Sequence, residues 1–384
     1  MKVLLLSAYD ADSHKRWRRG LVAAIPEWQW TTLGLPPRYF SWRVRGNSLS
    51  WGRGEALATL RQPWDLLVTT SMTDLASLRG LVPELGRVPT VVYFHENQFD
   101  YPRSEEAVQS VEPQLLNIYT ALCGDLLLFN SEYNRSTLLE GAEGLLHKLP
   151  DQVPRGICRE IADKSRILPV PLEATAFAGA GRAIDGSTQR PTFAWNHRWE
   201  YGFDGVPSED TLIISWAARW EYDKGADKLL QILEGLKRKQ VKFLLNMIGQ
   251  SFRNSPSEFA TIKRRFADHL LVVGYVESAE LYRETLRHSH VVLSTAIHEF
   301  QGLSVMEAVA LGCCPVVPDG LAYPEYYRKE HRYSGVSGAV DRLKKLAGYL
   351  AEGKALPRID MNEYSWEELG VEYRKALTEI VNVS

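Results

Sequence analysis

The chain of 384 residues is short of cysteine, of net charge and of long apolar runs, and each shortage narrows what it can be. Its four cysteines, Cys123, Cys158, Cys313 and Cys314, form no Cys-x-x-Cys pair and have no histidine at a spacing suited to zinc. That argues against a disulfide scaffold and a structural metal, and for a reduced, cytoplasmic setting. No apolar stretch reaches membrane-spanning length, and the first half has no amphipathic helix of the kind that lies on a lipid surface. The opening Met1-Lys2-Val3-Leu4-Leu5-Leu6-Ser7 is too short for a signal peptide and reads as a first buried strand. A formal charge of −2 names no partner. What remains, with 45% hydrophobic and 24% charged residues, is an ordinary globular chain long enough for two domains.

Short apolar runs alternate with amphipathic stretches along both halves, the pattern of parallel sheets with helical crossovers. In the first half, strands are expected at 2–7, 28–33, 65–70, 89–95, 125–130 and 165–170, with helices near 14–24, 73–82, 105–122 and 132–146. We expect an α/β protein of two Rossmann-like, doubly wound domains facing a cleft: 1–172, then a Gly/Ala/Ser/Thr/Pro-rich linker over 173–210, then 211–365. Ser365-Trp366-Glu367-Glu368 is a capping-box pattern that opens a closing helix over 366–384.

The second half carries the chemistry-bearing motifs. After the strand-like His290–Ala296, the sequence runs His298-Glu299-Phe300-Gln301-Gly302-Leu303-Ser304-Val305-Met306-Glu307 into a helix closed by Gly312. A strand that turns through glycine into a helix presents free N–H groups, a seat for phosphate. Glu299 and Glu307, eight positions apart, bracket that seat and can take the hydroxyls of a sugar and a ribose. Earlier, Arg219 and Lys224 stand five apart beyond the strand Thr211–Ile214, where open α/β sheets bind ligands. Two cations are badly placed at a helix start unless an anion meets them, so a diphosphate clamp is favoured over two solvated side chains. Strands near 242–251 and 271–276 each end in glycine.

In the first half, Phe94-His95-Glu96-Asn97-Gln98 ends a strand in consecutive polar side chains. His95 reads either as a contact to the transferred group and general base, or as a structural histidine at a strand end. Ser131 in Phe129-Asn130-Ser131-Glu132-Tyr133-Asn134-Arg135 reads as a helix cap. Ser13-His14-Lys15-Arg16-Trp17 opens the first helix.

Glu-(seven residues)-Glu around Gly-Leu-Ser, with Arg-(four residues)-Lys-Gly before it, resembles the donor site of retaining glycosyltransferases of the two-Rossmann (GT-B) type. Together with Ser-His-Lys-Arg-Trp, Phe-His-Glu-Asn-Gln and Phe-Asn-Ser-Glu-Tyr-Asn-Arg, and with Leu321-Ala322-Tyr323-Pro324-Glu325 further on, the chain resembles the tRNA-queuosine α-mannosyltransferase family over nearly its whole length. The resemblance implies retaining transfer of mannose from GDP-mannose to queuosine in tRNA-Asp, with no cofactor, no metal and no membrane. It assigns catalysis to His95, Arg219, Lys224 and Glu299, and the donor to Gly249, Gln250, Tyr275, Gly302, Leu303, Ser304 and Glu307. The acceptor falls to Ser13, His14, Lys15, Arg16, Asn97, Gln98, Arg43 and Arg45. Nine Lys and Arg against four acids in the first 60 residues, interleaved with aromatics, suit RNA, and Tyr39–Gly46 is the stretch least like a buried element. A solvated basic face with core tryptophans fits the same composition.

One departure from the family pattern stands out. The expected Trp-x-His-Arg-Trp-Glu block occurs twice, as Trp195–Tyr201 with His197 and as Trp216–Tyr222 with Ala218 in the histidine's place. The second is flanked correctly for the clamp; the first is an inserted hairpin lending His197 to the site, or a packed remnant. Two alternatives stay open: another sugar nucleotide or a lipid or polysaccharide acceptor on the same chemistry, and a non-catalytic nucleotide-sugar or RNA-binding protein.

Overall fold

A computed structural model describes residues 1–101, 110–178 and 207–383, so the block at 195–201 lies outside the described residues. The chain forms two compact units, Met1–Pro171 with Tyr364–Ser384, and Leu172–Glu363. In the first, strands β1 (Lys2–Ser7), β2 (Gln29–Gly34), β3 (Leu66–Thr70), β4 (Thr90–Phe94), β5 (Leu126–Phe129) and β6 (Ser165–Ile167) make one parallel sheet in the order β2-β1-β3-β4-β5-β6. β3, β4 and β5 are buried along their whole length, which is why they read as continuous apolar runs. Helices Asp12–Ala24, Leu75–Leu81, Glu112–Cys123 and Glu132–Leu146 fill the crossovers, as the spacing predicts. Ser131 caps the last, its Oγ accepting from the Asn134 N–H at 3.0 Å.

A further helix, Phe40–Gly52, stands where sequence reasoning places no element. Its buried side mixes Val44 and Trp51 with Gly46, Asn47 and Ser48, while Phe40, Trp42 and Leu49 face outward. The usual contrast between apolar and polar faces is therefore absent from the sequence. Asn47 explains the polar interior: its Nδ2 donates to the carbonyls of Arg43 and Met72 and its Oδ1 accepts from the Asp74 N–H. The C-terminal helix Trp366–Val383 packs in this first unit, with Glu368 N–H donating to Ser365 Oγ at 3.2 Å at its start. Its Tyr373 hydroxyl accepts from Trp17 Nε1 at 3.0 Å and donates toward the Pro169 carbonyl.

The second unit holds β7 (Leu212–Ala217), β8 (Phe243–Ile248), β9 (Leu270–Gly274), β10 (Val291–Leu293), β11 (Cys314–Pro318) and β12 (Arg332–Tyr333), all parallel, in the order β12-β11-β10-β7-β8-β9. The chain steps outward from β7 to β9 and then returns to the other flank of β7 at β10. The two loops leaving β7 and β10 therefore diverge side by side, the topological switch point where such sheets take ligands. The helix Ala226–Arg238 buries Ala226, Leu229, Ile232, Leu233 and Leu236 in the core; its periodicity predicts a face of Ala226, Leu229, Leu230, Leu233 and Leu236, of which Leu230 is only partly buried. Among the described residues no helix is long and apolar enough to cross a membrane.

Candidate active site

The loops at the switch point of the second unit are tied together by backbone. The Ile297 and His298 N–H groups both donate to the Asp223 carbonyl, and Thr295 Oγ1 donates to the Lys224 carbonyl at 2.7 Å. Gly225 makes this approach possible: its φ is +66°, and a Cβ there would stand 2.1 Å from the Thr295 carbonyl oxygen. The sequence motifs after β7 and after β10 are thus one structure.

At its centre lies Lys224. Its Nζ stands 3.1 Å from Glu299 Oε2, 3.1 Å from Asp223 Oδ2 and 3.2 Å from the His298 carbonyl. Burial works against the charge, but Glu299 and Asp223 outweigh it and hold the ammonium above its ordinary range. Glu299 shows the mirror balance: burial favours the neutral acid, while Lys224, His298 and the Gly302 N–H keep its carboxylate below the usual range. Both groups are charged at neutral pH, and fixed there by each other. Arg219 lies on the same loop, half exposed, with Glu221 at 2.6 Å. Burial raises the Glu221 carboxyl above its usual value despite that arginine.

Beyond Glu299 the chain turns through Gly302, in the left-handed region at φ +82°, into the helix Leu303–Ala310, whose first turn has no side-chain cap. Leu303 and Ser304 are half-buried there and Glu307 is buried in the second turn. Tyr323 backs this turn, its hydroxyl 2.6 Å from Ser294 Oγ and its ring against Gly302. Asp223 and Tyr323 are the site residues that sequence reasoning left without a role; an acid beside the clamp lysine was the available signal for the first. Gly249 is a steric requirement, since a Cβ there would meet the Ala218 carbonyl at 1.8 Å. The Gln250 carbonyl accepts from the Trp220 N–H at 2.9 Å, and Tyr275 stands 62% exposed beyond β9.

In the first unit, β4 ends at His95, whose ring stacks on His14 from the first helix at 4.0 Å and 16°. Trp17 and Tyr93 meet it edge-on at 5.0 and 4.6 Å. Burial, and then the neighbouring His14, push the His95 imidazole well below its ordinary value, so it is neutral at pH 7. Its Nε2 is buried with no hydrogen-bond partner among the described residues. His14 Nε2 lies 3.7 Å from the Glu96 carboxylate. Ser13 and Arg16 are half-buried on the same helix, and Lys15 pairs with Asp12 at 3.2 Å.

Three residues expected at the acceptor, Asn97, Arg43 and Arg45, have their side chains engaged within the fold. Asn97 is fully buried: its Nδ2 donates to Asn134 and Thr137, and its Oδ1 accepts from the Phe99 N–H, so it holds the loop. The Gln98 N–H donates to Asn117 Oδ1 at 2.8 Å, leaving a half-buried side chain. Arg43 is buried with its Nε toward the Pro36 carbonyl, and Arg45 bridges Glu112 at 2.9 Å and Asp74 at 3.2 Å. Their cations serve the fold because the helix that carries them is packed on those groups.

Two parallel doubly wound units, one with a lysine–carboxylate centre and an uncapped helix start at its switch point, define a glycosyltransferase of the GT-B class. Solved structures agree on the fold: sucrose-phosphate synthase from Thermosynechococcus elongatus (13% identity, TM-score 0.66, all of both chains) and a glycosyltransferase from Rickettsia africae (14%, TM-score 0.62, 100% of this chain and 99% of that one). Residues 197–364 match the glycosyl transferases group 1 model, and residues 2–172 match the tRNA-queuosine alpha-mannosyltransferase N-terminal model. A Drosophila melanogaster tRNA-queuosine alpha-mannosyltransferase is 29% identical over 341 residues, 89% of this chain and 85% of the relative. The chain is thus similar to the tRNA-queuosine alpha-mannosyltransferase family, through the family model over residues 2–172 and through the relative over 89% of its length.

Proposed function

We propose that the protein transfers mannose from GDP-mannose to queuosine in tRNA-Asp, in the cytoplasm, with retention at the anomeric carbon and without a metal ion. The observation that carries the reading is the partly buried Lys224 ammonium, fixed between Asp223 and Glu299 beside a free helix start. In such a site charge is stabilised where it develops, on the diphosphate oxygen as its bond to the sugar breaks. Lys224, Arg219 and the N–H groups of Leu303 and Ser304 supply that stabilisation, taking the part a metal plays elsewhere. Glu299 accepts from sugar hydroxyls, and Glu307 from the ribose. Gly249, Gln250 and Tyr275 border the base. The leaving diphosphate takes the proton of the queuosine hydroxyl that attacks on the same face. His95, neutral and with a free Nε2, can accept a hydrogen bond from a sugar or acceptor hydroxyl.

Lys224→Met tests this reading. Turnover is expected to fall about 100- to 1,000-fold, the scale for losing one fixed donor to a developing oxyanion, while the affinity for tRNA stays unchanged. Equal loss of tRNA affinity, or activity abolished by EDTA and restored by magnesium, contradicts it.

A further inference from the structure

The helix Phe40–Gly52 carries an exposed aromatic edge that the donor chemistry does not use. Tyr39 is 72% exposed and Trp42 51%, three residues apart at the helix start, while Phe40, 38% exposed, lies on another side of the helix. Exposed rings in such density are uncommon on a surface with no partner. They are also held in place. Tyr39 sits at φ +57°, a left-handed position unusual for a large side chain, and Arg38 lies 5.7 Å from its ring centre. Phe40 meets Tyr9 edge-on at 5.8 Å.

Trp42 lies across Gly46, one turn on: a Cβ at Gly46 would stand 2.3 and 2.5 Å from the Cε2 and Cδ2 atoms of the indole. Glycine thus lets the ring rest on the helix backbone, with half of its surface left to solvent. An aromatic face backed by the fold is the form of a base-stacking platform, because every base has a π-face and the ring loses little freedom on contact. The charge agrees. Of the four arginines in residues 38–53, Arg38 and Arg53 are exposed, and the stretch has no acid, a sign that suits a phosphate backbone and not an acidic peptide.

We propose that the edge formed by Tyr39 and Trp42 is a stacking platform for unpaired bases of the tRNA acceptor, centred on Trp42. The proposal rests on the tRNA reading above and adds how the acceptor is held: by rings, since Arg43 and Arg45 are taken up by the fold.

The test is the affinity of the full-length protein for end-labelled, queuosine-containing tRNA, by fluorescence anisotropy over a salt series. Trp42→Ala is expected to weaken binding about tenfold or more, the scale of one lost stack. Trp42→Phe should recover most of it. Tyr39→Gly, which removes the ring and accepts the left-handed backbone, should also weaken binding, so the proposal does not hang on one variant's folding. The slope of affinity against salt should hold in all three, because no phosphate contact is removed, and the KM for the sugar nucleotide should not move. Wild-type affinity in both ring-deleting variants overturns the platform and leaves the acceptor reading intact. A wild-type protein that binds no tRNA overturns both. A change of oligomeric state in Trp42→Ala at unchanged tRNA affinity makes the edge a protein contact and overturns the proposal.

Discussion

Lys224, partly buried, and His95, buried, are two bases that the fold sets in opposite states. Lys224 stays charged because two carboxylates outweigh its burial, whereas His95 has only apolar rings and a second imidazole around it and stays neutral. The second state has a consequence for stability. In the unfolded chain His95 takes up a proton near pH 6.5; in the folded chain it does so only well below that. Stability from this group is therefore complete above about pH 6.5 and is lost as the pH falls toward the lower, folded value. His269 and His331, both lowered chiefly by burial, act with the same sign. The melting temperature should drop from pH 7.5 to 5.5, and drop less in His95→Phe, which keeps the ring stack. An equal drop in wild type and variant would show that His95 is not held neutral. In the sequence His95 was legible as a polar strand end, but its neutrality was not, because the residues that desolvate it, Trp17 and Tyr93, are named by packing alone.

Elements were legible where both the period and the flanks agreed. β3, β4 and β5 are apolar runs bounded by turn residues and lie within a residue of where the pattern put them, whereas β7 runs three residues beyond the expected 211–214 and β8 ends three short of 251. The helix Phe40–Gly52 was not legible, because its buried side mixes Val44 and Trp51 with a buried asparagine hydrogen-bond network while Phe40, Trp42 and Leu49 point outward. The same limit hid Asn97, whose polar type suggested a ligand while its partners are Asn134 and Thr137. The join between the β7 and β10 loops was legible only as two motifs in the right order; that they touch depends on Gly225. Gly225→Ala forces a Cβ against the Thr295 carbonyl at a positive φ, and should cost about 1–3 kcal/mol of stability together with most of the activity. Urea denaturation with a transfer assay checks this. A variant as stable and as active as wild type would mean that the loops are not tied through this contact.

Across the whole chain the division of labour follows the two units. The second holds the lysine–carboxylate centre at its switch point; the first holds the stacked histidines and the exposed aromatic edge, and includes the C-terminal helix through Tyr373 and Trp17. The family model that names queuosine covers 2–172 and the general glycosyltransferase model covers 197–364, so the specific part of the account lies in the first unit and the shared chemistry in the second. Donor and acceptor can therefore be tested together in one reaction. The most direct measurement is transfer of label from GDP-mannose to total tRNA, with tRNA from a queuosine-deficient strain as the control. The account predicts label on the queuosine-containing tRNA alone; label on both tRNAs, or on neither, would contradict it.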